Sequence, residues 1–416
     1  MNSLVVPLSG SLLFALLVVL GIRKKRAQFD LVDYLILVSV VGPVFLLSVL
    51  SPWATIFGVC LLLMVGLLVE FFLRSLVKSS KQQRVTEPRL NFWSESIETA
   101  RLASGSYPDD YMSTEFFDQM HRRDDLELKL RAVKMWQSTK KEFENQQFRS
   151  TELNVVEGRR VTTDPPSRAR KNIYLLGGST VFCSEVPDRY TVPSFLQRLV
   201  NAVDDSILVS NHGQRGASTA NRLRYFESLD EISRDDVAIF LFGDNDCGTY
   251  LDQKRHPLTR IVVVVERLSR YGPEIFKWLY GEIAPRFWRN RSDSSVEKLI
   301  QQFEETARLC QKRGSKLLCV LQPNIFTLVS KLGYDLQLRH SSSTEISVSV
   351  NNAYPKYVHW LRNKDFAVSA TDIFNGSPDH VYLDWAHFNA RGNEKLANFL
   401  IDELERRNLI KQDLGL

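Results

Sequence analysis

Four short blocks of the sequence, taken in chain order, contain the residue types needed for acyl transfer through a serine. They are Gly-Gly-Ser-Thr at residues 177–180, Asn-His-Gly-Gln-Arg-Gly at 211–216, Gly-Asp-Asn-Asp at 243–246 and Asp-Trp-Ala-His at 384–387. Together they supply a serine, amides that can bind an oxyanion, and an Asp/His pair. Each block is common by itself, so only the combination indicates this chemistry.

The serine of the first block, Ser179, follows a short apolar run that predicts a β-strand at residues 172–176. Ligands of doubly wound sheets bind at the carboxyl ends of the strands, and the glycines before Ser179 allow a tight turn there. Ser179 is therefore the candidate nucleophile. A Ser/Thr turn or a helix cap after a strand is the alternative interpretation of this block.

The second and third blocks each offer a donor for a negatively charged oxygen. The backbone amide of Gly216 and the side chain of Asn245 follow predicted strands at residues 207–210 and 237–242. They are therefore expected at the same sheet edge as Ser179, where either could stabilise a developing oxyanion. Ordinary turns explain each block when it is taken alone.

Three other polar residues of these two blocks are assigned no part in the chemistry. His212 lies beside the motif and is interpreted as a structural residue. Asp244 and Asp246 could contribute to a metal site, but no histidine or further acid is spaced to complete one. No metal site is therefore predicted.

The fourth block is the most specific, because Asp384 and His387 lie on one short segment before an amphipathic helix. His387 can act as a general base toward Ser179, while Asp384 orients the imidazole and stabilises its charged form. The nearby pair Asp379 and His380 is a poorer candidate, since adjacent side chains point apart in an extended segment.

The elements that must position these blocks alternate along the chain from about residue 154 onward. Short β-rich runs lie at residues 172–176, 207–210, 237–242, 316–321 and 366–370. Stretches with apolar residues at helical spacing lie between them at 192–203, 217–229 and 295–313. This alternation predicts an α/β fold with a parallel sheet covered by helices on both faces.

With these blocks and elements, the chain resembles the SGNH hydrolase superfamily, the GDSL-like esterases and lipases, over roughly residues 154–408. The four residues that give the superfamily its name are present in order: Ser179, Gly216, Asn245 and His387. The resemblance implies a flavodoxin-like three-layer α/β/α sandwich and a triad completed by Asp384. It also implies an oxyanion hole formed by the Ser179 amide, the Gly216 amide and the Asn245 side chain.

The first block departs from the family pattern at one position. Gly178 stands where many members carry an aspartate, so a carboxylate beside the nucleophile is missing. The serine itself is retained, as in membrane- or polysaccharide-associated relatives that this variant resembles. Activity is therefore expected, but this departure makes it a matter for experiment.

The N-terminal region contains three apolar runs, at residues 4–22, 31–50 and 54–73. Each approaches the roughly 20 residues that a helix needs to cross the hydrocarbon core of a bilayer. A basic cluster follows the first run instead of preceding it, which is typical of a retained anchor and not of a cleaved signal. We therefore predict three transmembrane helices, with a buried hairpin of core helices as the alternative.

Basic residues predict the orientation of this anchor. One cluster occupies residues 23–26, and Arg74, Lys78, Lys81 and Arg84 lie at or after the end of the third run. By the positive-inside rule, both clusters are expected in the cytoplasm, although a large folded domain can override that bias. The expectation is a multi-pass protein of the bacterial inner membrane with a cytoplasmic catalytic domain.

The sequence divides into an anchor at residues 1–77, a helical connector at 78–150 and the hydrolase-like domain at 151–416. An insertion at 250–292 mixes arginines and lysines with tryptophan, tyrosine and phenylalanine. It is interpreted either as a lid at the membrane surface or as an ordinary helical insertion with a solvated basic face. The pocket walls are expected from this insertion and from residues 325–357.

Composition excludes several other classes of function. The formal net charge is only +5, and no basic run is interleaved with aromatic residues as in nucleic-acid modules, so nucleic acid is not an expected partner. The odd cysteine set lacks a CxxC motif and a Cys/His cluster, so neither a zinc site nor a disulfide framework is predicted. Its members are Cys60, Cys183, Cys247, Cys310 and Cys319.

The leading hypothesis is a membrane-anchored serine esterase or acyl hydrolase acting on an acyl-glycan, a lipid or a small ester. An O-acyltransferase that passes the acyl group to a sugar or lipid hydroxyl would use the same residues. A catalytically silent module that binds a glycan or lipid is the third hypothesis, since a fold does not guarantee activity. No metal or organic cofactor is implied, the expected partners are the lipid bilayer and the ester substrate, and the sequence leaves the oligomeric state open.

Overall fold

The computed structural model describes residues 153–247, 274–329, 344–378 and 381–410, with a few positions between them (149, 262, 265, 269, 335, 336, 339, 340 and 342). The chain divides into two compact units, Met1–Asn91 with Lys254–Phe276, and Phe92–Gln253 with Lys277–Leu416. Every strand given below belongs to the second unit.

The predicted transmembrane runs at 4–22, 31–50 and 54–73 lie outside the described residues, as does nearly all of the predicted connector at 78–150. Where the structure does describe the chain, it contains no helix with the length and apolar character needed to cross a bilayer. The anchor therefore stays a prediction from sequence.

The strands form a small hairpin and one parallel sheet. The hairpin pairs β1 (Val155–Val156) with β2 (Arg159–Arg160) in antiparallel fashion. The sheet contains β3 (Lys171–Gly177), β4 (Ile207–Gly213), β5 (Val237–Phe242), β6 (Lys316–Leu321) and β7 (Ala367–Ser369). Its order is β4-β3-β5-β6-β7, and all neighbours are parallel. This is the strand order of flavodoxin-like doubly wound folds.

Helices connect these strands on both faces of the sheet. They are α1 (Ser179–Phe182), α2 (Val192–Val203), α3 (Thr219–Glu227), α4 (Glu274–Arg313), α5 (Thr344–Leu361) and α6 (Ala390–Arg406). Helix α2 packs against α6. The α/β fold with a parallel sheet, as expected from the alternating pattern, is confirmed.

The inner strands β3, β5 and β6 are buried on both faces because two apolar cores flank the sheet. In β3, Ile173 and Leu175 point into one core, whereas Tyr174 and Leu176 point into the other, as the two-residue period of a strand requires. The first core includes Leu196 and Val200 of α2 and Leu396, Leu400 and Leu404 of α6. The second includes Leu223 and Phe226 of α3, Leu299 and Phe303 of α4, and Tyr354 and Tyr357 of α5.

The hairpin before the sheet holds the loop that follows α1 through the buried side chain of Arg160. Its Nε atom donates to Asp188 Oδ1 at 2.8 Å, and the side chain of Arg160 is fully buried. Its other nitrogens donate to the carbonyl oxygens of Phe182, Cys183 and Val186. Arg160 therefore holds the backbone of residues 182–186 in place. Among the described residues, no other side chain is seen to donate to these carbonyl oxygens.

Replacement of Arg160 by methionine is expected to destabilise the domain by about 3–5 kcal/mol, because Asp188 would remain buried without its cation. Urea unfolding of the full chain, followed by tryptophan fluorescence, measures this loss. The matched control is Arg159→Met, which removes an exposed ion pair to Glu157 and should change the free energy of unfolding by no more than about 1 kcal/mol. Equal effects of the two substitutions would contradict the assignment.

Candidate active site

Ser179 lies just beyond the carboxyl end of β3, which runs between β4 and β5 in the sheet. Strand β3 ends at Gly177, and α1 begins at Ser179 directly after one intervening residue. Strand β4 is parallel to β3 with Gly177 opposite Gly213, so the loop after β4 opens at the same edge of the sheet. The predicted position of Ser179 at this edge agrees with the structure.

A continuous chain of hydrogen bonds links Ser179, His387 and Asp384. The distance between Ser179 Oγ and His387 Nε2 is 2.6 Å, and that between His387 Nδ1 and Asp384 Oδ2 is 2.7 Å. Asp384 Oδ1 also accepts the backbone amides of Ala386 and His387, both at 2.7 Å. This arrangement suits proton transfer from the serine to a held imidazole.

The turn that carries the histidine is itself a short antiparallel loop. Tyr382 pairs with Phe388, and the amide of Leu383 donates to the carbonyl of His387 at 2.8 Å. These bonds bring both ends of the loop together, so Asp384 and His387 face each other across it. Asp384 is 5% exposed, which shields its contact with the imidazole from water.

The three predicted oxyanion donors face the same cavity, which has a volume of about 280 Å³. Neither the amide of Ser179 nor that of Gly216 donates a hydrogen bond to any residue described in the structure. Gly216 has a φ of +67°, a conformation that favours glycine. Asn245 donates one amide hydrogen from Nδ2 to the Ala217 carbonyl at 2.9 Å, so its second hydrogen stays available to an oxyanion.

Gly178 explains how the Asn245 amide reaches the cavity. A Cβ atom added at Gly178 would lie 2.5 Å from Asn245 Nδ2 and 3.3 Å from the carbonyl oxygen of Ala217. The side-chain amide of Asn245 thus occupies the space that a side chain at position 178 would need. The absence of a side chain at this position is therefore matched by the packing around it.

His212 and the two aspartates beside Asn245 have local partners. His212 is fully buried, its Nδ1 lies 3.2 Å from the hydroxyl of Tyr225, and burial lowers the pKa of His212 to about 3. This environment agrees with the structural role expected for His212. Asp246 accepts the amide and hydroxyl of Thr219 at 2.8 and 2.7 Å.

Asp244 is buried in a polar cluster at the wall of the cavity. It accepts bonds from Asn324 Nδ2 at 2.5 Å and from the Tyr354 hydroxyl at 2.9 Å. Burial raises the pKa of Asp244 to about 7. Across the part of the chain that the structure describes, no group of three or more histidine, cysteine or acidic residues could hold a metal ion.

Two charged side chains line the cavity without a role predicted from the sequence. Glu185 Oε1 lies 3.9 Å from His387 Nε2, and the guanidinium of Arg215 belongs to the loop that also carries Gly216. The position of Glu185 depends on the bonds that Arg160 donates to its loop. These bonds join segments more than 20 residues apart, so no local sequence pattern predicts them. Arg215 lies in the second block, at residues 211–216, but an arginine at that position did not by itself indicate a role.

The described lining residues of the cavity come from the loops after β3, β4, β5 and β6 and from the Asp384 loop. Most of residues 250–273 and 330–343 lie outside the described residues, so the walls expected from 250–292 and 325–357 stay a prediction. The pair that was the poorer candidate, Asp379 and His380, lies outside the described residues.

No known family profile and no curated protein matches the sequence. Solved structures with similar folds include a putative lipolytic protein of the G-D-S-L family from Desulfitobacterium hafniense, with a TM-score of 0.34 and 9% identity, covering 56% of this chain and 100% of that one. Axe2, an acetylxylan esterase from Geobacillus stearothermophilus, gives 0.33 and 12% over 57% and 95%. A putative acylhydrolase from Bacteroides fragilis gives 0.32 and 14% over 59% and 91%. Similarity at this level has no bearing on activity.

Proposed function

We propose that this protein is a serine esterase or acyl hydrolase of the SGNH type. The observation that carries the proposal is the unbroken chain from Ser179 Oγ through His387 to Asp384, at 2.6 and 2.7 Å. The cavity beside it is also lined by the residues of the three predicted oxyanion donors. A serine cap or a simple turn requires neither the aligned imidazole nor the free amides. Nucleophilic acyl transfer requires both.

In the first half of the reaction, Ser179 Oγ attacks the ester carbonyl while His387 Nε2 takes its proton. The negative charge on the carbonyl oxygen is stabilised by the amides of Ser179 and Gly216 and by Asn245 Nδ2. Asp384 stabilises the imidazolium that forms. Collapse of the tetrahedral intermediate breaks the bond to the alcohol oxygen, which receives the proton from Nε2 and leaves.

In the second half, water attacks the acyl group on Ser179 while Nε2 takes a proton from it. The bond to Oγ then breaks, Oγ regains the proton, and the acid is released. A hydroxyl group of a sugar or lipid in place of water would make the same protein an O-acyltransferase. The cavity of about 280 Å³ is slightly smaller than the usual small-molecule pocket of about 300–1,000 Å³, which favours a short acyl group.

The proposal is tested by labelling the full chain with a fluorophosphonate and locating the adduct by peptide mass spectrometry. A single adduct on Ser179, together with turnover of p-nitrophenyl acetate, is the expected result. Absence of both labelling and turnover in the folded protein would contradict the proposal and favour a binding module without activity. A label on a different serine would contradict the assignment of the nucleophile.

The pH dependence of turnover follows from the charges around His387. Burial alone would lower the pKa of His387, but the carboxylates of Asp384 and Glu185 outweigh it and raise that pKa above its ordinary value of about 6.5. A protonated imidazole cannot accept the serine proton. Activity is therefore expected to rise with pH, with a midpoint above about 6.5.

The measurement is kcat/KM for p-nitrophenyl acetate across about pH 5 to 10, since this ratio reports groups of the free enzyme. Asp384→Asn should lower the rate and shift the midpoint to lower pH, because one of the carboxylates that stabilise the imidazolium is lost. A midpoint below that of free histidine in the unsubstituted protein would contradict the electrostatic account.

A further inference from the structure

The carboxylate of Glu185 lies beside the catalytic imidazole on the side that faces the cavity. Its Oε1 atom is 3.9 Å from His387 Nε2, the same nitrogen that contacts Ser179 Oγ at 2.6 Å. Its side chain is 11% exposed, and Oε1 accepts a bond from the hydroxyl of Ser184 at 2.7 Å. That bond leaves the carboxylate with further acceptor capacity toward the cavity.

The position of Glu185 is fixed by the surrounding backbone. Arg160 donates to the carbonyls of Cys183 and Val186 on either side of it, and to Phe182 at the end of α1. Three bonds from one buried guanidinium restrict the loop near Glu185. These bonds hold the backbone on both sides of Glu185, and the bond from the Ser184 hydroxyl holds its carboxylate.

We propose that Glu185 selects the acyl acceptor by binding, together with His387 Nε2, a group with two hydrogen-bond donors. This inference rests on the proposed esterase function. An oxygen bonded at about 2.8 Å to two acceptors 3.9 Å apart subtends an angle of roughly 90°, not far from the angle between the hydrogens of water. Water fits this arrangement, whereas a simple alcohol has only one hydrogen to donate.

The proposed step keeps the chemistry of hydrolysis unchanged. Water donates one hydrogen to Nε2 and the other to Glu185 Oε1, and its oxygen attacks the acyl carbon on Ser179. The first proton passes to Nε2 as the new bond forms, and it then passes to Oγ as the bond between Oγ and the acyl carbon breaks. Glu185 accepts a hydrogen bond throughout and takes no proton.

No other charged group described around the His387 imidazole takes the place of Glu185 beside Nε2. Asp384 contacts Nδ1, on the opposite side of the ring. Asp244 also lines the cavity, but its Oδ1 already accepts bonds from Asn324 and Tyr354 and its Oδ2 accepts one from Gln322. Arg215 lines the same cavity and supplies donors, not acceptors. Among the described residues, Glu185 is therefore the carboxylate placed to receive the second hydrogen of an acceptor.

The proposal also identifies which larger acceptors the site would use. A vicinal diol, such as adjacent hydroxyls of a sugar, can place one hydroxyl on Nε2 and the other on Glu185. A monohydric alcohol can satisfy only one of them. Transfer to diols should therefore exceed transfer to simple alcohols at equal hydroxyl concentration.

The experiment measures how the acyl-enzyme made from p-nitrophenyl acetate partitions among water, methanol and 1,2-ethanediol. Products are quantified by chromatography, at a pH on the plateau of activity for each variant. In the unsubstituted protein, we expect the diol to be acetylated several-fold more than methanol per hydroxyl. In Glu185→Met, hydrolysis and diol acetylation should fall about tenfold while methanolysis changes little, since a charged hydrogen bond is lost only from the first two.

Glu185→Gln serves as the conservative variant, because its amide oxygen can still accept a hydrogen bond and should retain part of the diol preference. Glu394→Met, on the exposed surface of α6, is the matched control and should leave the partition unchanged. An unchanged partition in Glu185→Met, with normal fluorophosphonate labelling of Ser179, overturns this inference alone. Failure of the unsubstituted protein to release p-nitrophenol overturns the proposed function, and this inference with it.

Discussion

Replacement of Gly178 by alanine is expected to lower kcat for p-nitrophenyl acetate by about 10²- to 10³-fold, the usual effect of losing one oxyanion donor. The new Cβ atom would lie 2.5 Å from Asn245 Nδ2, which is too close for both groups to keep their places. The side chain of Asn245 can move, but it then leaves the Ala217 carbonyl and the cavity. The loss should appear in kcat more than in KM, because the oxyanion exists only after attack.

A double-mutant cycle separates this mechanism from general damage. Asn245→Ala should cost about as much as Gly178→Ala, and the double variant should be little worse than either, because both substitutions remove the same donor. Gly281→Ala is the control, since a Cβ atom at Gly281 meets nothing within 4 Å. If the losses of activity from the two single substitutions simply add in the double variant, Gly178→Ala does not act through Asn245.

The same packing predicts the effect of an aspartate at this position. Gly178→Asp would create the Gly-Asp-Ser block of the hydrolases that the sequence resembles, but its Cβ atom would meet the same amide as that of alanine. This substitution should therefore reduce activity instead of raising it. Gly178 forms a local pair with Asn245.

Replacement of Ser179 by alanine is expected to lower kcat by about 10⁴- to 10⁶-fold, because the acyl-enzyme can no longer form. His387→Ala should cost a similar amount, and the double variant should be no worse, as observed for residues that act as one unit. The three variants are compared for turnover of p-nitrophenyl acetate and for fluorophosphonate labelling.

Stability distinguishes a chemical effect from a structural one. Ser179→Ala removes only one hydroxyl, so its unfolding midpoint in urea should stay close to that of the unsubstituted protein. Ser210→Ala, on β4 and outside the cavity lining, is the matched control and should remain active. Retention of activity in Ser179→Ala would remove Ser179 from the mechanism.

Continuous apolar runs made the sheet predictable. The strands expected at 237–242 and 316–321 match β5 and β6, and the helix expected at 192–203 matches α2. Burial on both faces leaves few polar residues in such strands, so their limits are visible in the sequence. The carboxyl end of β4 was harder to predict, because the polar residues Asn211 and His212 continue a strand that was expected to end at residue 210.

Helix α4 was predicted only in part. The expected helix covers 295–313, whereas α4 begins at Glu274 within the expected insertion and contains Pro285. Proline is a strong signal of helix interruption, and the arginine-rich stretch around it has no clear apolar face. Tertiary packing overrides this local signal, as in the complete burial of Trp288.

The candidate triad could be predicted because each of its members stands in a short block with a local context. Glu185 and Arg160 have no such context, since their roles depend on contacts between segments far apart in sequence. The packing of Gly178 against Asn245 is similar, because it depends on how closely β3 and β5 approach. Sequence patterns indicate elements and their edges, but they do not specify these distances.

The separation of Ser179 and His387 by 208 positions has a consequence for how this protein folds. The two residues meet only when β3 lies within its neighbours and α6 has packed against α2 on one face of the sheet. Contacts so distant in sequence form late and slowly, because long loops must close first. Recovery of esterase activity after dilution from urea should therefore follow the slowest refolding phase, with no active species forming earlier.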